Sequence, residues 1–298
     1  MIKHVSLFLL FFWGFTIAHA QLFTPEELEI IKLQDQRTFG TNNELITYLD
    51  NFNDAVVIRA LWALGNIGSE EGVRYASEKL FSNRSEDIRV NAAYALGLLP
   101  FESSRTALIE AIITLKDERV IAEALNSIGF VGTQENLVQV SALNFNDDLL
   151  KSAQAMSIAR FARRNIKSPE GVQKLIELSS TGDSKVLKSV SYAFTNMRSK
   201  DLLLPAKDAI NSLLLNGDAD TRMWAVLANG YISGDVDYLI NLYSRESVWQ
   251  VKTNILNSFQ IISRLNPDIS ANKDLALFLV NKARGEDVYL AVTALKSL

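Results

Sequence analysis

No cysteine occurs anywhere in the 298 residues, and the only two histidines are His4 and His19. Without thiols the chain can form no disulfide and offers no acylatable lipoprotein cysteine, so burial must hold an exported form together. Both histidines fall in a removable N-terminal segment, which leaves the mature chain with neither His nor Cys. Cys–His and Ser–His nucleophilic catalysis are thereby excluded, and so are the usual zinc sets. Proline is scarce: Pro25, Pro100, Pro169, Pro205 and Pro267 are all there is. Each sits where a helix would start or where two helices would be joined. There is no glycine-rich phosphate loop and no Gly/Ser-rich linker, so the chain reads as one continuous domain. Basic charge is also in short supply. Of 30 Lys and Arg, Lys3 is in the removable segment, so 29 face 34 Asp and Glu, a net of −5. That balance argues against nucleic acid and anionic membrane surfaces as partners.

The one long apolar run is Val5 to Ile17, preceded by Lys3 and followed by Ala18-His19-Ala20. A charged start, a short apolar stretch and a small-x-small site make a secretory signal peptide, residues 1–20, with cleavage after Ala20. The run is short for a membrane-spanning helix. The mature protein is then expected in a periplasm or outside the cell, with no membrane attachment.

What the chain does contain is a repeated helix. In Asp87-Ile-Arg-Val-Asn-Ala-Ala-Tyr-Ala-Leu-Gly-Leu-Leu-Pro100, Ile88, Ala92, Ala95 and Leu96 fall on one helical face. Asp87 precedes the first turn, where a carboxylate suits the free N–H groups, and Gly97 and Pro100 supply a stop. Copies occur at Val56–Gly65 and Val120–Gly129, and weaker ones end at Ala159, Thr195, Gly230, Gln260 and Lys296. From Gly65 to Lys296 is seven steps with a mean near 33 residues, the period of a helical array. Gln154 stands in a core position of the fourth copy. Thr24-Pro-Glu-Glu27 has the form of a capping box with proline at the first helical position. It opens an N-terminal capping helix (residues 21–41) that Gly40 ends. Residues 42–298 follow as the solenoid, beginning with an outer helix at Asn42–Asn51 and a turn at Asn53-Asp54. Turn acids recur at Asp54, Asp87, Asp117, Asp148, Asp183 and Asp218.

The Val-Arg-x-x-Ala-Ala-x-Ala-Leu-Gly pattern, seen in Ile88-Arg-Val-Asn-Ala-Ala-Tyr-Ala-Leu-Gly97, resembles short HEAT repeats of the phycobilisome-lyase type. The resemblance implies an all-α, right-handed α-solenoid of about eight HEAT-like helix pairs. Separately, Leu28-Glu-Ile-Ile-Lys-Leu-Gln-Asp-Gln-Arg-Thr-Phe-Gly40 resembles the opening of exported bacterial proteins in which HEAT repeats precede a cyclophilin-type peptidyl-prolyl isomerase domain. That domain is a β-barrel whose active group includes a histidine, and neither feature occurs in the mature chain. The sequence stops at Leu298 inside an inner helix without a polar end repeat, so it reads as the front part of a longer protein.

Carboxylate pairs at Glu70-Glu71, Asp147-Asp148 and Glu286-Asp287 sit at helix starts, where acids serve the helix dipole rather than catalysis. The sequon Asn83-Arg84-Ser85 would matter only in a eukaryotic secretory host. A different feature stands out. Positions seven and three before each terminal glycine lie about 160° and 200° from the core centre. There the chain places Ile58/Trp62, Val90/Tyr94, Ala122/Asn126, Ser152/Met156, Lys188/Tyr192 and Met223/Leu227. Stacked in register they make an apolar, aromatic stripe on the concave face. Either the superhelix curls until they pack on one another, or they form a groove for protein or peptide, with Trp62 and Tyr94 as anchors. The partner-binding set is Ile58, Trp62, Val90, Tyr94, Asn126, Met156 and Tyr192. Arg59 and Arg89 are expected to pair with turn acids such as Asp87. Trp224, Tyr231, Tyr238, Tyr243 and Trp249 are expected in inter-repeat packing. The expected function is a non-catalytic exported protein-binding scaffold, with no cofactor and no metal. The alternatives are the client-binding front of a periplasmic isomerase and a structural spacer.

Overall fold

The computed structural model describes residues 23–232, 234–285 and 287–298. The signal peptide at residues 1–20 lies outside them, as do residues 21–22 of the capping segment and Glu286. Every regular element among the described residues is helical, and the chain is an all-α solenoid.

Helix α1 (Pro25–Asp35) opens on the capping box, with Thr24 accepting from the Glu27 amide and Glu27 accepting from the Thr24 amide. It ends five residues before Gly40, because Arg37 turns into the left-handed region at φ 51°. The segment read as one outer helix is a single turn, α2 (Glu44–Thr47), followed by a 3-10 turn (Tyr48–Asp50). The inner helices α3 (Asp54–Ile67), α5 (Glu86–Leu96), α7 (Glu118–Val131), α9 (Asp148–Arg163) and α11 (Ser184–Met197) alternate with outer helices. Those outer helices are α4 (Glu71–Leu80), α6 (Glu102–Thr114), α8 (Gln134–Ala142) and α10 (Pro169–Leu178). Beyond α11 the outer position is broken into α12 (Lys200–Leu203), a 3-10 turn (Leu204–Ala206) and α13 (Lys207–Leu214). Inner α14 (Ala219–Ile232), outer α15 (Val236–Arg245), inner α16 (Trp249–Leu265), outer α17 (Lys273–Ala283) and inner α18 (Val288–Ser297) complete the stack.

Each inner helix packs along the next, whereas successive outer helices touch sparsely. The stack therefore curves with its inner helices on the concave side. Small residues let these helices close up: Ala60, Ala63, Ala92, Ala95, Ala124 and Ala159 are fully buried among Leu64, Leu96, Leu125 and Ile158.

The repeat glycine does something other than stop the helix. Gly65, Gly129 and Gly230 lie inside α3, α7 and α14, and Gly97 follows α5 with ordinary helical φ −66°. What they provide is room. A Cβ on Gly97 would lie 2.6 Å from Ser127 Oγ and 3.0 Å from its Cα. The actual stop for α3 is Gly68, at φ 76°. Asp87 is likewise inside the first turn of α5, and Ser85 is the cap that accepts from the Ile88 amide. Asp183 and Asp218 do cap their helices directly, whereas Asp54 and Asp148 also lie inside first turns, with Asn53 and Asp147 as the caps.

Ion pairs tie neighbouring repeats along the edge where inner helices begin. Arg84 pairs with Asp54 at 3.0 Å and Arg89 with Asp117 at 2.7 Å. Arg119 bridges Glu86 and Asp87 at 2.8 and 2.9 Å. Of the two arginines expected to pair with turn acids, Arg89 does so with Asp117, whereas Arg119 takes Asp87 and Arg59 donates to Gln34 Oε1 on α1.

Candidate concave binding face

The concave face is built from the side of each inner helix that points away from the outer layer. On α3 and α5, Ile58 and Val90 are half-buried against the core, while Trp62 and Tyr94 are 40% and 42% exposed. Trp62 Nε1 donates to Asn91 Oδ1 at 2.7 Å across the two helices, and Asn91 donates to the Asp87 carbonyl. The indole is thereby fixed by its polar edge with its ring open. On α7, Ala122 is buried and Asn126 is half-buried, accepting from Arg160 Nη1 of α9 at 2.6 Å. Ser152 of α9 shares a 2.8 Å hydrogen bond with Ser189 of α11, and Met156 is half-buried. Tyr192 of α11 meets Trp224 of α14 edge to face, with centroids 5.0 Å apart, and Arg163 donates to its hydroxyl at 3.4 Å.

The stripe is therefore not uniform. At its N-terminal end Trp62 and Tyr94 stand open. In the middle the small residues of α7, α9 and α11 bring backbones together, and polar groups and arginines take over. Farther on, Tyr192, Met223 and Leu227 pack against the core. The later aromatics divide. Tyr243 is buried against Phe278 (5.2 Å), whereas Trp249, 50% exposed, leans on exposed Tyr289 at 6.0 Å.

The composition pattern gave no hint of the arginine cluster at the centre, although Arg160, Arg163, Arg164 and Lys167 lie within eight residues. Arg160 stacks over Phe130 at 4.8 Å. Burial pushes its guanidinium below its ordinary pKa; Glu123 and Tyr192 oppose that and Arg163 adds to it. Burial likewise pushes the Glu123 carboxyl up, against hydrogen bonds from Ser127 and Asn126. The outer layer holds a second concavity that periodicity cannot find, because outer helices vary in length. It is a cleft of about 680 Å³ between α8, α10 and α12. Lys174 lies in it, donating to Asn144 Oδ1 at 2.8 Å and pairing with Glu177 at 2.6 Å. Among the described residues no His, Cys, Asp and Glu are grouped to hold a metal ion, and no helix is long and apolar enough to cross a membrane.

Fold and face together define a helical-repeat solenoid with an open inner surface. Solved structures agree on the fold. The Escherichia coli protein YibA is similar with a TM-score of 0.62 at 18% identity, over 93% of this chain and 97% of that one. An engineered protein matches with a TM-score of 0.54 at 20% identity, over 85% and 76% of the two chains. Kap95p, known from a complex in which its binding makes the switch loops of RanGDP adopt the GTP-bound conformation, matches with a TM-score of 0.62 at 14% identity. That match covers 87% of this chain and 42% of Kap95p. No family model matches the sequence, and neither does any curated protein.

Proposed function

We propose that this protein is an exported, non-catalytic scaffold of HEAT type that binds a protein or peptide along its concave face. The observation that carries the reading is the pair Trp62 and Tyr94, large aromatics left open on adjacent inner helices whose other faces are closed by alanine and leucine. Keeping such rings in water costs hydrophobic free energy, and large exposed aromatics are favoured contact anchors. Kap95p, which has a similar fold, is described bound to a protein partner, which supports this use of a curved helical array. Export is inferred from residues 1–20, and it places the partner in the periplasm or outside the cell. The test is co-purification from the native envelope, comparing the wild type with Trp62→Ala/Tyr94→Ala. Both side chains are exposed, so the variant is expected to keep its helical circular dichroism and to lose the wild type's partner. Retention of the same proteins by the folded variant would remove the aromatic anchors, and a wild type that captures no protein would be a spacer.

A further inference from the structure

Cations are distributed unevenly over this solenoid. Along the edge where inner helices begin, Arg84, Arg89, Arg119, Lys188 and Arg222 each pair with a carboxylate. Along the opposite edge, where inner helices end, Arg105, Arg163, Arg164, Lys167 and Arg198 have no carboxylate partner among the described residues, and Arg160 feels the Glu123 carboxylate without forming an ion pair with it. Such acceptors as they have are neutral: Arg105 donates to the Pro100 carbonyl, Arg160 to Asn126, Arg163 to Tyr192, and Arg164 to the Gly129 and Gly132 carbonyls. The cations also feel one another. Burial lowers the pKa of Arg164 and Lys167, and Arg105 and Arg198 respectively lower them further.

Helix C-termini favour positive charge, and that accounts for one or two such residues. It does not account for their grouping, since α3, α5 and α7 end with no basic residue in the last turn. Nor does it explain five cations without a carboxylate partner in a chain whose net charge is −4. The group adjoins Phe130, which is half exposed, and Tyr192, so charge and apolar surface are side by side.

We propose that this edge of the concave face, at the ends of α7, α9 and α11, receives an acidic segment of the partner. The segment is an extended peptide whose spaced carboxylates engage Arg163 and Arg198 while its apolar side chains lie against Phe130 and Tyr192. The proposal rests on the partner-binding reading and adds the partner's charge. A nucleic acid suits the surface less. Glu102, Glu135, Glu170 and Asp201 sit in the first turns of the helices that follow these cations. A phosphate backbone with a charge at every step would meet them, whereas a peptide can space its acids.

The experiment is fluorescence anisotropy of a labelled ten-residue peptide of alternating Glu and Leu with the mature chain, in low salt and in ~0.3 M salt. Arg163→Gln/Arg198→Gln removes two exposed charges that close no core contact, and Lys185→Gln/Lys207→Gln removes two exposed charges elsewhere. The expected result is salt-sensitive binding that weakens about tenfold or more in the first variant and little in the second. Equal binding by wild type and first variant, equal loss in both variants, absence of binding, or tighter binding of a single-stranded DNA decamer would each overturn it. Trp62→Ala/Tyr94→Ala keeps the two readings apart. Binding of this peptide lost from the arginine variant while partner capture survives the aromatic variant sinks the aromatic anchors alone. The reverse pattern sinks the acidic segment alone.

Discussion

Two opposing effects meet at Glu246, which is only 9% exposed. Burial alone would push its carboxyl up. Hydrogen bonds from Arg222 Nε and Nη2 (2.8 and 3.0 Å) and from the Ser247 and Val248 amides (2.9 Å each) outweigh burial and hold it below the usual range. The same carboxylate thus joins α14 to the turn between α15 and α16. Its lowered pKa means that the folded state binds this proton less readily than the unfolded chain does. The contribution is therefore fully present above the ordinary glutamate value of about 4.3 and is lost as pH falls through the lowered folded value. Glu246→Gln is expected to cost about 2 kcal/mol near pH 7, because Arg222 loses a bidentate partner in a largely enclosed place. Urea midpoints should show the gap between variant and wild type narrowing as pH drops below about 4. A gap that stays constant down to acid pH would deny the carboxylate this role.

Among the elements, the inner helices carry the fold, and their docking is decided by missing atoms. Gly97→Ala tests this cleanly, since its φ of −66° suits alanine and the only objection is the collision with Ser127. The expected loss is about 1–3 kcal/mol by overpacking, against a small gain from the stiffer backbone. Gly182→Ala is the control, with nothing within 4 Å of its added carbon. Denaturant midpoints of the two variants should differ in that order. This also explains what was legible in the sequence. Period, helix existence and core alanines were, because 3.6-residue periodicity and small residues are local signals. The meaning of the glycine was not, because a glycine after an apolar run reads equally as a stop and as a close approach. A distant clue existed: Ser127, Ser157 and Ser258 stand some thirty positions after Gly97, Gly129 and Gly230, and they are the residues those glycines approach. The stripe was legible by position but not by environment. Angle alone puts Ile58 and Trp62 together, while burial separates them. Gln154 behaves similarly: a polar residue in a core slot, it donates to the Val140 and Leu143 carbonyls at the end of α8. The arginine edge escaped notice because its members lie outside the repeat motif.

For the whole molecule, each pair of helices touches only its neighbours, so stability is close to a sum of local terms. Inner packing is closest from α7 through α11, where two flanking pairs cover each helix. Hydrogen exchange should accordingly show slowest amides in α9 and its neighbours, with exchange rising toward α1 and α18. Uniform protection from end to end would mean that the stack opens only as a unit.

The difference between the two layers has a mechanical meaning. With backbones nearly in contact along the inside and gaps along the outside, the body resembles a leaf spring clamped on one edge. Tightening it must press the glycine–serine contacts into one another, whereas flattening it only closes empty space between outer helices. Such a body opens more easily than it curls inward, so its hollow can widen to admit a guest, and the groups that touch the guest, not further closure of the coil, must hold it.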